Sequence, residues 1–382
     1  MRRSARGILC ATVVLFASWS VGSGQCRMQA SPNFMDFRLP ADSLDVPGPQ
    51  SVRVGVNVAG DTVPFKVVDM VAADSPRYII VAPSSGVAST LVWVALDPSV
   101  VPYLPAKAHV QGVGFAPLDD PSKPCTSVGI GLFLSGGPDP VVRSVVNAAT
   151  QQADISAGAV ISIRGAYLGT PPITARYDVT GLYPTELGNT TVWVNDKKAP
   201  LLYVSRERID AVIPHSLAGQ AAVALRVDHN GWPSALLRLP LMATSPGVFT
   251  EAGNGIGPPI LNQDGIPNGA ETPAPRGSVI QMWTTGAGAW SHSPPDAGML
   301  LSSLFNRTAT SHIYLRPAAP VSLTVGGRLA EVWYAGPAPY RIFGVMQVNA
   351  KVPEGIESGP QSLVLTIGEN SNAQQQVMLF VR

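Results

Sequence analysis

SVRVGVNV, residues 51–58, sets Val52, Val54, Val56 and Val58 against Arg53, Gly55 and Asn57. Side chains alternate across an extended chain, so this stretch predicts a β-strand with one face in a core. Val128, Ile130, Leu132 and Leu134 repeat the pattern against Ser127, Gly129 and Gly131. Between the two lie further short runs at 63–69, 77–81, 89–96 and 107–115. Turn clusters such as Pro83-Ser84-Ser85-Gly86 and Asp97-Pro98-Ser99 separate them. Short strands packed this closely into about a hundred residues predict an immunoglobulin-like β-sandwich over residues 32–137.

Composition extends that reading to the whole chain. It has 37 glycines and 36 prolines among 382 residues, too many helix breakers for a helical protein. Its 46% hydrophobic content is ample for sizeable cores. The fold class expected is all-β, with tandem immunoglobulin-like β-sandwich domains.

The N-terminus reads as a secretory signal peptide over residues 1–24. Arg2, Arg3 and Arg6 form a basic start, an apolar stretch runs from Ile8 to Val21, and Gly22 and Gly24 offer small residues for cleavage. An uncleaved membrane anchor is the alternative, but the run is shorter than the ~20 residues a span requires. Lipidation at Cys26 is disfavoured because Gln25 stands where a small residue is needed. No later segment approaches a membrane span. The localisation expected is secreted or cell-surface associated, with the periplasm as the other option. Cys26 and Cys125 would remain after cleavage, an even number in an oxidising compartment, and form a disulfide candidate.

Charge excludes two partner classes. Charged residues are 13% of the chain and the net charge is +1, falling to about −2 without the three leader arginines. Nucleic acid and anionic membrane both select for basic stripes. Extracellular polysaccharide or a cell-surface protein fits better.

From Val141 the chain repeats itself, after a Gly136-Gly137-Pro138-Asp139-Pro140 linker. GAVISIRGAYLG (158–169) lies over GSVIQMWTTGAG (277–288) at an offset of 119. TVWVNDKKAPLLYVS (191–205) matches SLTVGGRLAEVWYAG (322–336) at 131, and RIDAVIP (208–214) matches QVNAKVP (347–353) at 139. Val223, Leu225 and Val227 are laid on Leu363, Leu365 and Ile367 at 140, which sets Trp232 against Asn372. Growing offsets place the insertions in loops. Two homologous modules are expected, at 141–248 and 250–382.

Two family resemblances follow from quoted blocks. YIIVAPSSGVASTLVWVALDPSVVPYLP (78–105) resembles the BACON family of bacterial immunoglobulin-like modules, with Tyr78 where such modules often carry tryptophan. VVRSVVNAATQQADISAGAVISIRGAYLG (141–169), APLLYVSRERIDAVIP (199–214), TSPGVFT (244–250), LNQDGIPNGAETPAPRGSVIQMWTTGAG (261–288) and GVMQVNAKVPEGIESGPQSLVLTIG (344–368) follow in order. Together they resemble an uncharacterised C-terminal domain family of Solibacter and other Acidobacteria, related to IPT/TIG modules. That resemblance implies an extracellular β-module and no established activity.

Catalytic and metal motifs are missing. His109, His215, His229, His292 and His312 show no HxH or HxxxH spacing and read as surface or turn residues. There is no GxSxG elbow, and Gly253-Asn254-Gly255-Ile256-Gly257 reads as a turn. Asp119-Asp120 read as a solvated loop, since one Asp pair falls short of calcium's six to eight oxygens. No cofactor, metal or catalytic residue is expected. Tryptophans carry the binding expectation, since an exposed indole offers a flat apolar surface to a sugar ring. Trp232, in the hairpin sequence His229-Asn230-Gly231-Trp232-Pro233, and Trp290, in the 286–295 loop, are the ligand-binding candidates. Trp193 is expected on an outer face, and Trp93 and Trp333 in packing. The function expected is a non-catalytic extracellular interaction module. A structural spacer or an interdomain polymer hydrolase are the alternatives.

Overall fold

The computed structural model describes residues 27–40, 43–71, 75–105, 107–135, 139–250, 260–292 and 315–382. The signal peptide, Cys26, the 253–257 glycine stretch and His312 lie outside them. Among the described residues no helix is long and apolar enough to cross a membrane, and the chain is all-β with short 3₁₀ turns.

The described residues form two compact units, one of 27–37 with those of Pro47–Asp97 and Val110–Leu132, the other of those in Arg38–Val46, Pro98–His109 and Phe133–Arg382. The first nine strands are β1 (Met28–Ser31), β2 (Phe34–Pro40), β3 (Gln50–Val56), β4 (Pro64–Met70), β5 (Ile79–Ala82), β6 (Ser85–Val87), β7 (Leu91–Leu96), β8 (Ala108–Pro117) and β9 (Thr126–Ser135). They make two sheets, β1-β3-β7-β5 and β2-β9-β8-β4-β6. Val52, Val54, Val92 and Val94 of the first sheet are fully buried, as are Phe65, Phe115, Ile130 and Leu132 of the second. Phe65 meets Phe115 edge-on at 5.7 Å. The buried Tyr78 hydroxyl donates to the Ile130 carbonyl at 3.0 Å, fastening one sheet to the other. Burial holds its phenol well above the usual tyrosine range. The alternation of 51–58 holds as far as Val54, whereas Val58 lies beyond β3 and is 58% exposed. The Pro83–Gly86 turn is tighter than expected, because Ser85 already pairs with Lys66 in β6.

The next ten strands are β10 (Val141–Asn147), β11 (Val160–Ala166), β12 (Ile173–Thr174), β13 (Thr190–Val194), β14 (Lys197–Lys198), β15 (Leu201–Val204), β16 (Arg208–Val212), β17 (Ala222–His229), β18 (Trp232–Pro233) and β19 (Leu237–Pro240). Their sheets are β10-β11-β16-β15-β12 and β14-β13-β17-β18, with β19 also on β17. Ile161, Ile163, Val192, Val194, Leu225 and Val227 fill the core between them. The remaining strands are β20 (Gly247–Val248), β21 (Val279–Thr285), β22 (Val321–Val325), β23 (Arg328–Pro337), β24 (Met346–Lys351), β25 (Gly359–Ile367), β26 (Asn370–Ser371) and β27 (Met378–Val381). They form one folded-over sheet, β20-β21-β24-β23-β22-β25-β26, with β27 on β25. Gly247–Val248 pairs with Thr284–Thr285, so the strand pairing of the last module starts inside the stretch assigned by sequence to 141–248.

The two repeats share their hydrogen-bond pattern. Ser162 stands opposite Asp210 as Gln281 stands opposite Asn349. A bulge leaves Leu202 unpaired between Leu201 and Tyr203, and the same bulge leaves Trp333 between Val332 and Tyr334. One difference explains the sheet count. Pro200 separates β14 from β15, but Glu331 stands at the matching position and β23 runs unbroken from one layer to the other.

The last offset needs correction. Val194 pairs with Leu225, and its counterpart Val325 pairs with Leu363, so the shift is 138 and not 140. Ser234 and Asn372 confirm it: the Ser234 hydroxyl accepts from Val227 N–H, and the Asn372 side-chain oxygen accepts from Leu365 N–H. Trp232 therefore corresponds to Asn370.

Candidate functional site

Trp232 sits at the start of β18, opposite His229 across a two-residue turn. Asn230 (φ 52°) and Gly231 (φ 82°) both occupy the left-handed region, the type I′ geometry that Asn-Gly favours between strands. Asn230 N–H also donates to the Asn189 carbonyl at 3.0 Å. Beneath the hairpin, His229 is buried, and its Nδ1 and the Thr190 hydroxyl are 2.8 Å apart. The strand ending there is thus pinned, and Trp232 is 45% exposed upon it. Its counterpart in the other repeat behaves differently: the Asn370 amide turns inward and donates to the Thr244 carbonyl at 3.0 Å. Nothing in the shared fold requires an aromatic at this place.

Trp290 does not meet its expectation. It is 8% exposed, bridges to Pro317, and stacks edge-on against Phe343 at 5.1 Å within the last core. A ring packed on that side offers no free face to a sugar. Burying a large indole stabilises more than exposing it, and Trp290 is held in that core. Of the two candidates only Trp232 presents its ring to solvent.

Trp93 and Trp333, expected in packing, are instead 48% and 60% exposed. Strand parity puts Trp93 outward, between buried Val92 and Val94. The bulge does so for Trp333, and a bulge leaves no period in the sequence by which to find it. Trp193 stands on an outer face as expected, with the Lys198 ammonium 5.4 Å and the Arg226 guanidinium 5.8 Å from its ring centre.

Among the described residues the carboxylates with shifted pKa values in loops are each held by their own neighbours. Asp120 is held below the usual carboxylate range by the Ser122 hydroxyl and by Lys123, in a surface loop. Asp178 is lowered likewise by the Thr180 hydroxyl and the Leu182 N–H, which fold its loop into an Asx turn. Among the described residues no three His, Cys, Asp or Glu side chains gather as a metal site would require. His215 and His229, read from sequence as surface or turn residues, are both buried, His215 in a short 3₁₀ turn and His229 at the end of β17. His215 packs edge-on against Phe343 at 4.9 Å, in the junction of the two repeats. Cys125 is disulfide-bonded, while Cys26, its expected partner, lies outside the described residues.

No family model matches the chain, and no curated protein matches it. The BACON and acidobacterial resemblances therefore rest on the quoted blocks alone. Solved structures give distant likenesses. The Bacteroides ovatus mixed-linkage glucan utilization locus protein SGBP-B, in complex with a mixed-linkage heptasaccharide, is 10% identical with a TM-score of 0.27, over 90% of this chain and 65% of that one. The Pseudomonas aeruginosa CupB2 chaperone is 13% identical with a TM-score of 0.20, over 56% of this chain and 100% of that one. The N-terminal eight Ig domains of Down Syndrome Cell Adhesion Molecule are 9% identical with a TM-score of 0.16, over 93% of this chain and 42% of that one. At such scores these likenesses carry no argument about this chain's ligand or role.

Proposed function

We propose that the chain is an exported, non-catalytic binding protein whose ligand is an extracellular polysaccharide, with Trp232 in contact with the sugar. The observation that carries this reading is the half-exposed Trp232 on a pinned hairpin, at a position where the sister repeat holds an inward-turned asparagine. A rigid aromatic with one exposed side loses little conformational entropy on binding and supplies a large apolar contact. The reading includes export by the signal peptide at 1–24, a Cys26–Cys125 disulfide, a BACON-like module at 32–137 and paired IPT/TIG-like modules at 141–248 and 250–382.

The test is retention of the purified mature chain by a panel of insoluble and soluble polysaccharides. Trp232→Ala is expected to weaken binding about thirtyfold, the equivalent of about 2 kcal/mol for a tryptophan anchor. Binding to no polymer in the panel would overturn the reading in favour of a spacer or a protein-binding module. Release of reducing ends from a bound polymer would make the chain a hydrolase instead. The disulfide is read by peptide mapping of the secreted protein without reductant, which should yield one cross-linked pair joining Cys26 to Cys125.

A further inference from the structure

The outer face of the β14-β13-β17-β19 sheet carries charge, and a tryptophan, that its copy lacks. Trp193 stands in the middle strand of three, directly opposite Lys198 on β14 and Arg226 on β17. Both cations lie over its ring, one from each neighbouring strand. Such contacts hold long, flexible side chains upright and lower the entropy lost when they engage an anion. Arg226 is fixed further by a two-point pair with Asp228, at 2.7 and 2.9 Å. Arg238 on β19 faces the same way, opposite Ala224. Three cations against one carboxylate leave the face net positive, in a chain whose whole formal charge is only +1.

The second repeat removes the fold as an explanation. The positions of Trp193, Lys198, Arg226 and Asp228 are taken there by Thr324, Leu329, Val364 and Thr366, on strands of the same pairing. The sandwich is built equally well with no charge on this face.

We propose that this face binds an acidic polysaccharide, its carboxylates pairing with Lys198, Arg226 and Arg238. The proposal rests on the reading above, that the chain is a polysaccharide-binding protein, and names the ligand class and a second contact surface. Lys198 and Arg226 are two strands apart, about 10 Å at ordinary strand spacing, and Arg238 continues the track onto the next strand. A stiff chain of uronic acids presents carboxylates at regular intervals along such a track. A nucleic acid, carrying a charge every ~1.7 Å of duplex axis, would need a longer basic stripe.

Affinity electrophoresis of the full mature chain in gels containing polygalacturonate, carboxyl-reduced polygalacturonate or a neutral glucan tests this. The expected result is retardation by polygalacturonate that the carboxyl-reduced polymer does not cause. It should weaken at least tenfold between about 50 and about 500 mM salt, where screening is strong. Lys198→Glu with Arg238→Glu, both exposed positions, should weaken it at least tenfold while leaving the melting temperature and the effect of neutral glucan unchanged. Equal retardation by the carboxyl-reduced polymer, or none lost in the double variant, would overturn the proposal. Retardation by neutral glucan alone, abolished by Trp232→Ala, would overturn it and leave the broader reading standing. No retardation by any polymer would overturn both.

Discussion

Asp210 is a carboxylate 2% exposed to solvent in the sheet of the first repeat. Burial raises its pKa above the usual value, and the Ser162 hydroxyl and the Arg208 and Arg164 charges pull it back only in part. Arg208 is itself drawn over Tyr203, 4.4 Å from the ring centre, and stands 3.5 Å from the carboxylate. A group bound more tightly to its proton when folded favours the folded state most at low pH. That advantage is lost as pH rises from below 3.8, the unfolded value, through the raised folded one. At neutral pH the ionised form therefore weighs against folding. The sister repeat has Asn349 here, accepting from Gln347 at 3.0 Å. Asp210→Asn keeps an oxygen for Ser162 to donate to and removes the buried charge. It is expected to stabilise the protein by about 1 kcal/mol at pH 7 and to be near neutral at pH 4. Urea midpoints at the two pH values measure this, and a variant less stable than the parent at pH 7 would show that Arg208 depends on the charge.

At the scale of elements, the hairpin joining β17 to β18 makes the same kind of test. Gly231 has open space around it, so a methyl group would meet nothing, yet its φ of 82° is one that L residues avoid. Gly231→Ala should lower stability by about 1 kcal/mol through backbone strain alone, read from the thermal midpoint; no loss would mean that the turn relaxes to another type. That hairpin was legible in Asn230-Gly231, because turn residues report their own dihedral angles. So were the valine-rich strands and the first three repeat offsets, each tied to a distinctive residue such as Tyr203 with Tyr334 or Pro214 with Pro353. The final offset slipped by two because side chains alternate with period two. Moving a strand by two residues returns every apolar side chain to the core face, and the pattern cannot object. Strand pairing fixes the register, and the hydrogen bonds accepted by Ser234 and Asn372 agree with it. Trp333 escaped for a related reason, since its bulge reverses parity within a strand that otherwise reads as continuous. The exposure of Trp232 was legible because a turn exposes its flank. The alignment of Lys198, Arg226 and Arg238 on one face was not, because it depends on how β14 and β19 register against the strands between them, which the sequence pattern does not state.

Within the second unit the two repeats meet through side chains that neither could bury alone. Ala148, Ala149, Val160, Val212 and Phe249 pack with Trp283, Ala338, Ile342 and Val345 in one apolar cluster. Polar groups cross the junction as well. Val160 N–H donates to the Thr285 hydroxyl at 2.8 Å, which donates to the Gly344 carbonyl at 2.8 Å. The Thr244 hydroxyl donates to the Ile367 carbonyl at 2.8 Å. Gly158, with φ 72°, has no room for a Cβ beside the His215 ring. A junction this buried couples the modules, unlike the short polar contacts of beads on a string. Phe343 is its pivot, meeting His215 of one repeat and Trp290 of the other. Phe343→Ala should therefore cost about 4 kcal/mol, as an emptied aromatic site in a core does. It should also divide the melting of residues 141–382 into two steps, since the last sandwich loses its support while the other keeps its own core. Calorimetry of the full chain reads both effects. A variant with a lower midpoint but an undivided transition would place the coupling in the hydrogen bonds of Thr285 and Thr244, and Thr285→Val would then be the substitution that separates the repeats.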